Sequence, residues 1–253
     1  MASYYRGPSS GSSVTIQFPP VTPMVRKLLW TIGICFAVQT MLESVLRLGA
    51  PVRLFELSPI AISERFFLWQ LLTYGFLHAG LWHLLSNMLG LWMFGGEVER
   101  VLGSKRLLRF VLICVAGGGL TYLLVGWLTE NQAPVVGISA GVLGLLVAFA
   151  IFDPDRMMYL FPLPFPIRAR TIAIGYALLD LYSAVMANAD RSSMTGSGGR
   201  LTAFSAHLGG MAVAFVYIQL FVRGRGLRWR WPWRRSRPFK VIHGRRNDPF
   251  DLH

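Results

Sequence analysis

The sequence predicts an all-α membrane protein, and three observations carry that prediction. Of its 253 residues, 53% are hydrophobic and only 15% are charged, whereas soluble domains carry about 25% charged residues. The mean hydropathy is +0.47. Apolar stretches of roughly 20 residues recur along the chain, each long enough to cross a hydrocarbon core of ~30 Å. A soluble globular domain is excluded, and one polytopic membrane domain is expected.

Six spans are read in order: Leu28–Leu46, Leu81–Val98, Leu107–Leu128, Val135–Phe152, Thr171–Asn188 and Phe204–Val222. The fifth is the weakest, because Asp180 sits near its middle. The excess of 25 Lys+Arg over 12 Asp+Glu is unevenly placed. Segments before span 1, between spans 2 and 3, between spans 4 and 5 and after span 6 hold 20 of the basic residues, and the other side holds 5. By the positive-inside rule both termini are cytoplasmic. Phe66–Leu77 is apolar and uncharged, but twelve helical residues reach only ~18 Å. With the rest of residues 47–80 it is expected to form an interfacial or re-entrant element buried in protein.

The ends are expected to be tails. Residues 1–23 are rich in Ser, Pro and Gly and lack a signal-peptide run, which predicts a short disordered cytoplasmic tail. Residues 24–222 then form the transmembrane domain, and 223–253 a basic cytoplasmic tail. Ten basic residues from Arg223 to Arg246 surround Trp229, Trp231 and Trp233. Directly after a span, this pattern fits anchoring to anionic headgroups better than nucleic-acid binding. Cys35 and Cys114 lie in apolar stretches and read as small core residues, not as a disulfide framework.

Polar residues inside spans are costly and are functional candidates by default. Ser139 lies in Gly137-Ile138-Ser139-Ala140-Gly141, and His207 in Ala206-His207-Leu208-Gly209-Gly210. His83 and Asn87, four apart, share one helix face. Spans 2, 4 and 6 run in the same direction, and each places its polar group within its first two turns, roughly 5–10 Å below the outer boundary. This convergence suits serine acyl transfer, which needs a base for the hydroxyl proton and donors for the developing oxyanion. Ser139 is then the nucleophile and His207 the general base, with Asn87, His83 and the Ser139 backbone N–H as the oxyanion hole. Gly141 and Gly144 on span 4, with Gly210 and Ala214 on span 6, are expected to let those two helices approach closely.

These residues resemble the rhomboid family of intramembrane serine proteases over most of residues 66–215. The resemblance rests on His78, His83 and Asn87 in an H-x4-H-x3-N pattern, on Gly95 to Gly103 (GGEVERVLG), on Gly137 to Ser139, on Ala206 to Gly210 and on the Trp69-Gln70 pair. It implies a six-transmembrane-helix rhomboid-like bundle, a Ser139/His207 dyad with no third acid, and cleavage of transmembrane substrates near their outer ends. It also suggests that 189–200 is a mobile cap over the site. The sequence departs from the family's pattern at Ala140 and Ala214, where Gly is commoner, and at Leu143, where many members stack an aromatic on the histidine. His78 is read as a water-binding or structural group, and Asp180 as structural.

Other readings remain beside this one. Gly-x-Ser-x-Gly is also the nucleophile elbow of soluble α/β hydrolases, but that elbow needs a preceding strand and a soluble sheet. Ser139 and His207 could instead join helices in a transporter. No His-Glu dipeptide supports a zinc site, and Asp180 is the lone intramembrane aspartate, so metal and aspartyl protease chemistries drop out. No metal or other cofactor is expected. The expected partners are transmembrane protein substrates and anionic lipid, not nucleic acid, and a bacterial inner membrane is the expected location. The runner-up function is a proteolytically silent rhomboid-like protein that binds or escorts membrane clients.

Overall fold

The structure, a computed structural model, describes residues 19–130, 132–159, 165–189 and 198–223. The expected N-terminal tail up to residue 18, the basic tail from 224 and most of the expected cap, 190–197, lie outside the described residues. Among the described residues, six long helices make up the architecture: α1 (Pro23–Thr40), α5 (Leu81–Leu102), α6 (Ser104–Leu128), α7 (Ser139–Phe152), α8 (Ala169–Ala189) and α9 (Gly198–Tyr217). Helices α1 and α9 continue as short π-helical turns, Met41–Val45 and Ile218–Arg223. Between α1 and α5 lie three short helices, α2 (Gly49–Arg53), α3 (Pro59–Arg65) and α4 (Gln70–Thr73), with a 3-10 turn at Tyr74–Phe76. Helices α1 with its extension, α6 and the stretch Phe204–Val222 are each long and apolar enough to cross a membrane, while α7 is apolar but shorter.

Helix α7 is the centre of the bundle and packs against α5, α6, α8 and α9. Its sequence SAGVLGLLVAFAIF is apolar on every face, as a helix surrounded by other helices must be. Its 14 residues reach only ~21 Å, less than a hydrocarbon core. Span 4 is therefore shorter than its predicted start at Val135. Pro134 and Gly137, whose φ is +122°, break the helix before Ser139. The preceding segment is extended and tied to the 47–80 connection, with Val135 and Leu57 exchanging backbone hydrogen bonds of 2.9 and 3.1 Å. Gly137 N–H also donates to Tyr74 O at 2.9 Å, and the Tyr74 hydroxyl donates to Val115 O at 2.7 Å on α6.

At the opposite end of the bundle, Glu99 fastens three helices. Its buried carboxylate accepts from Met24 N–H and Val25 N–H at 3.0 Å each, and from the Thr22 and Ser104 hydroxyls. It thereby caps the first turn of α1, where unpaired N–H groups favour an anion. Gly103, at φ +80°, turns the chain from α5 straight into α6, a conformation that only glycine adopts without strain. An antiparallel pair of strands, β1 (Met157–Tyr159) and β2 (Pro166–Arg168), joins α7 to α8. The six-span reading did not include it, because three-residue strands leave no period to detect.

Candidate active site

Ser139 is the first residue of α7, so its backbone N–H has no acceptor within the helix. His207 is the tenth residue of α9, because that helix starts six residues earlier than the predicted span. The shared position of the two side chains thus comes from helices whose ends stand at different heights, not from equal distances to the span starts. His207 Nε2 lies 2.7 Å from Ser139 Oγ, a hydrogen bond between two helices.

The approach depends on small residues immediately beside the pair. A Cβ on Gly210 would lie 2.8 Å from the Ala140 carbonyl carbon and 2.9 Å from its Cα. On Gly118 of α6, a Cβ would come within 2.6 Å of both Ala140 Cβ and Ala206 O. Helices α6, α7 and α9 therefore meet backbone to backbone at the residues adjoining Ser139 and His207. Gly144 meets Cys114 of α6 more tightly than Ala214 of α9, and Gly141 faces Val111 and Val115 of α6. The glycines on α7 thus serve α6 as much as α9. Gly118 was not anticipated: in the run Gly117–Gly119, spacing alone does not say which glycine faces which neighbour.

The His83 ring lies over the Gly137 backbone, where a Cβ would come within 2.6 Å of Cε1. Asn87, one turn further along α5, is buried and donates from Nδ2 to the His83 carbonyl at 3.0 Å. A primary amide has two N–H groups, so this bond leaves Asn87 a second donor. Gly90, a turn beyond, lets α5 press against Val142 of α7. His83 accordingly reaches the backbone just before Ser139, and Asn87 lies one turn further along the same face of α5.

His78 is 1% exposed and sits in the connection before α5. Its backbone pairs in both directions with the Gln39 amide on α1, each bond 3.0 Å, and its ring meets His83 edge-on at 5.2 Å. Burial, reinforced by the adjacent His83, pushes the His78 imidazole down to about 4, so it is neutral at physiological pH. Gln70 is fully buried and links Ser58 N–H at 3.1 Å to Leu54 O at 3.2 Å, and Trp69 Nε1 donates to the same carbonyl at 2.9 Å. The Trp69-Gln70 pair therefore organises the connection; it does not enter the Ser139 cluster.

Two further neighbours of His207 were not anticipated. Asp180 of α8, expected to be structural, places Oδ2 3.2 Å from His207 Nδ1. The contact has the distance of an ion pair but lies off the hydrogen-bond direction, and neither atom has a hydrogen bond among the described residues. A carboxylate within a membrane span costs roughly 2.5–3.5 kcal/mol unless it is paired. Position 143, where an aromatic would stack on the histidine, is a buried Leu. Phe204, three residues before His207 on α9, instead meets the ring edge-on at 6.4 Å and 81°.

Fold and site together define a membrane-embedded helical bundle that carries a serine–histidine pair at the end of its short central helix. The chain belongs to the rhomboid family: the rhomboid domain matches residues 65–224. The chain is similar to the Rhomboid protease GlpG of Photorhabdus laumondii, with 33% identity over 108 residues, 36% of this chain and 38% of that protein. It is 32% identical over 99 residues to the proteins of the same name from Yersinia pestis and Yersinia pseudotuberculosis, over 32% of this chain and 36% of each relative. The chain thus matches little more than a third of the length of these relatives.

Proposed function

We propose that the chain is an intramembrane serine endopeptidase, and the 2.7 Å contact between Ser139 Oγ and His207 Nε2 carries this reading. Ser139 Oγ attacks the scissile carbonyl carbon while its proton passes to His207 Nε2. The resulting oxyanion is met by the Ser139 N–H, the Asn87 amide and the His83 ring. Collapse breaks the C–N bond, and Nε2 returns the proton to the leaving amine. Water then attacks the acyl ester, giving one proton to His207, which restores the Ser139 hydroxyl as the acid departs. A substrate helix shields its peptide bonds with its own hydrogen bonds, so clients that unwind readily, with Gly or Pro near one end, are favoured.

If the Phe152 end of α7 stands at one boundary of a ~30 Å core, its ~21 Å length leaves Ser139 about 9 Å below the other. The 20 to 5 division of basic residues supports an outward-facing site with both termini in the cytoplasm, and the bacterial relatives support a bacterial inner membrane. A reporter active only in the cytoplasm should work after residue 225 and stay silent within 190–199; the reverse pattern would overturn this orientation. Activity is tested by reconstituting the protein with a transmembrane substrate. The natural protein should cleave it, and Ser139→Ala, shown to be folded, should lose at least about 10⁴-fold in kcat. Retained cleavage in Ser139→Ala would refute the serine mechanism, and binding without cleavage by the natural protein would support the client-escort alternative.

A further inference from the structure

We propose that Asp180 is a positioning residue for His207, so that this chain works with a Ser139–His207–Asp180 relay of contacts and not with an unsupported pair. The inference rests on the reading of Ser139 as nucleophile and His207 as base. The three residues come from three different helices, α7, α9 and α8, and form a continuous line. Ser139 Oγ lies 2.7 Å from Nε2 on one side of the imidazole, and Asp180 Oδ2 lies 3.2 Å from Nδ1 on the other.

A neutral imidazole carries one N–H, and only the tautomer with the proton on Nδ1 leaves the Nε2 lone pair facing the serine. A carboxylate oxygen 3.2 Å from Nδ1, although off the hydrogen-bond direction, favours the proton on that nitrogen electrostatically. When Nε2 takes the Ser139 proton, the carboxylate also faces the imidazolium that forms. Asp180 neither gives nor receives a proton in this cycle. Its burial, at 6% exposure, fits the role, because a carboxylate held from bulk water keeps its influence on the ring. The buried stripe of α8, Ala169, Ile172, Ala173 and Asp180, is otherwise apolar and small. Packing alone gives no reason for a carboxylate in it, and the His207 ring does.

The test uses the full chain in detergent and in proteoliposomes, with Asp180→Asn and Asp180→Leu beside Ser139→Ala. Asparagine keeps an acceptor oxygen without the charge, and leucine fills a similar volume with neither. The expected result is a graded loss, about 10-fold for Asp180→Asn and about 100-fold for Asp180→Leu, in kcat and in the rate of fluorophosphonate labelling of Ser139. KM for the transmembrane substrate should stay within about twofold, and thermal unfolding of Asp180→Leu should be no lower than that of the natural protein. Labelling needs no substrate helix, so a parallel loss there reads the activation of Ser139 directly.

Asp180 variants with natural kcat and labelling rates would overturn the inference, as would losses that only follow the folded fraction. Either outcome, with Ser139→Ala inactive, leaves the serine protease reading standing. Cleavage by Ser139→Ala would bring down that reading and this one together.

Discussion

Helices α7 and α8 are consecutive in the chain and both apolar, yet they are used in opposite ways. Helix α7 buries ten of its 14 residues, and its glycines 141 and 144 are pressed against side chains of α6. Helix α8 exposes Ile174, Leu178, Leu179, Leu181, Tyr182 and Val185, and its Gly175 has nothing within 4 Å. The difference shows where precision is needed. A Ser–His hydrogen bond between helices tolerates little movement, so its two sides are fixed by backbone contact at Gly118, Ala140, Ala206 and Gly210. Among its described side chains, helix α8 reaches His207 through the short carboxylate of Asp180, and it offers most of the rest of its described surface to the surrounding medium.

One pair of substitutions breaks this contrast or sharpens it. Gly210→Val drives two methyl groups toward the Ala140 backbone, where rigid atoms cannot yield, and should cost about 3 kcal/mol or more. It should abolish Ser139 reactivity in whatever protein still folds. Thermal unfolding in detergent, followed by probe labelling, reads both effects. Next in size is Asn87→Ala, which should leave unfolding nearly unchanged while lowering kcat by about 10² to 10³, because the Ser139 N–H and His83 remain as donors. The smallest effect belongs to Gly175→Val on α8, where the new side chain enters open space and unfolding should move by less than about 0.5 kcal/mol. Equal damage from the two glycine substitutions would mean that the α9–α7 contact and the open face of α8 are equally constrained.

Much of this was legible before any coordinates. Composition marks the six long helices, and Ser139, His207, His83 and Asn87 stand out because a polar group in an apolar span needs a reason. What was not legible depends on rotation and height, which spacing along one helix does not encode. Nothing in Asp180's neighbours says that α8 turns it toward His207. Nothing in the Gly117–Gly119 run singles out Gly118 as the residue between α7 and α9. The shortened α7 had a readable cause in Pro134 and Gly137, but the apolar Val135, Val136 and Ile138 hid it, since hydropathy does not distinguish a helix from an extended segment bonded to its neighbours.

The central claim is that Ser139 is an activated nucleophile inside a membrane bundle, with His207 as its base. Labelling the purified chain with a fluorophosphonate in detergent, followed by mass spectrometric location of the adduct, tests it most directly. A single adduct on Ser139, lost in His207→Ala with the fold intact, is the predicted result. No adduct, or an adduct on another residue that persists in Ser139→Ala, would contradict it.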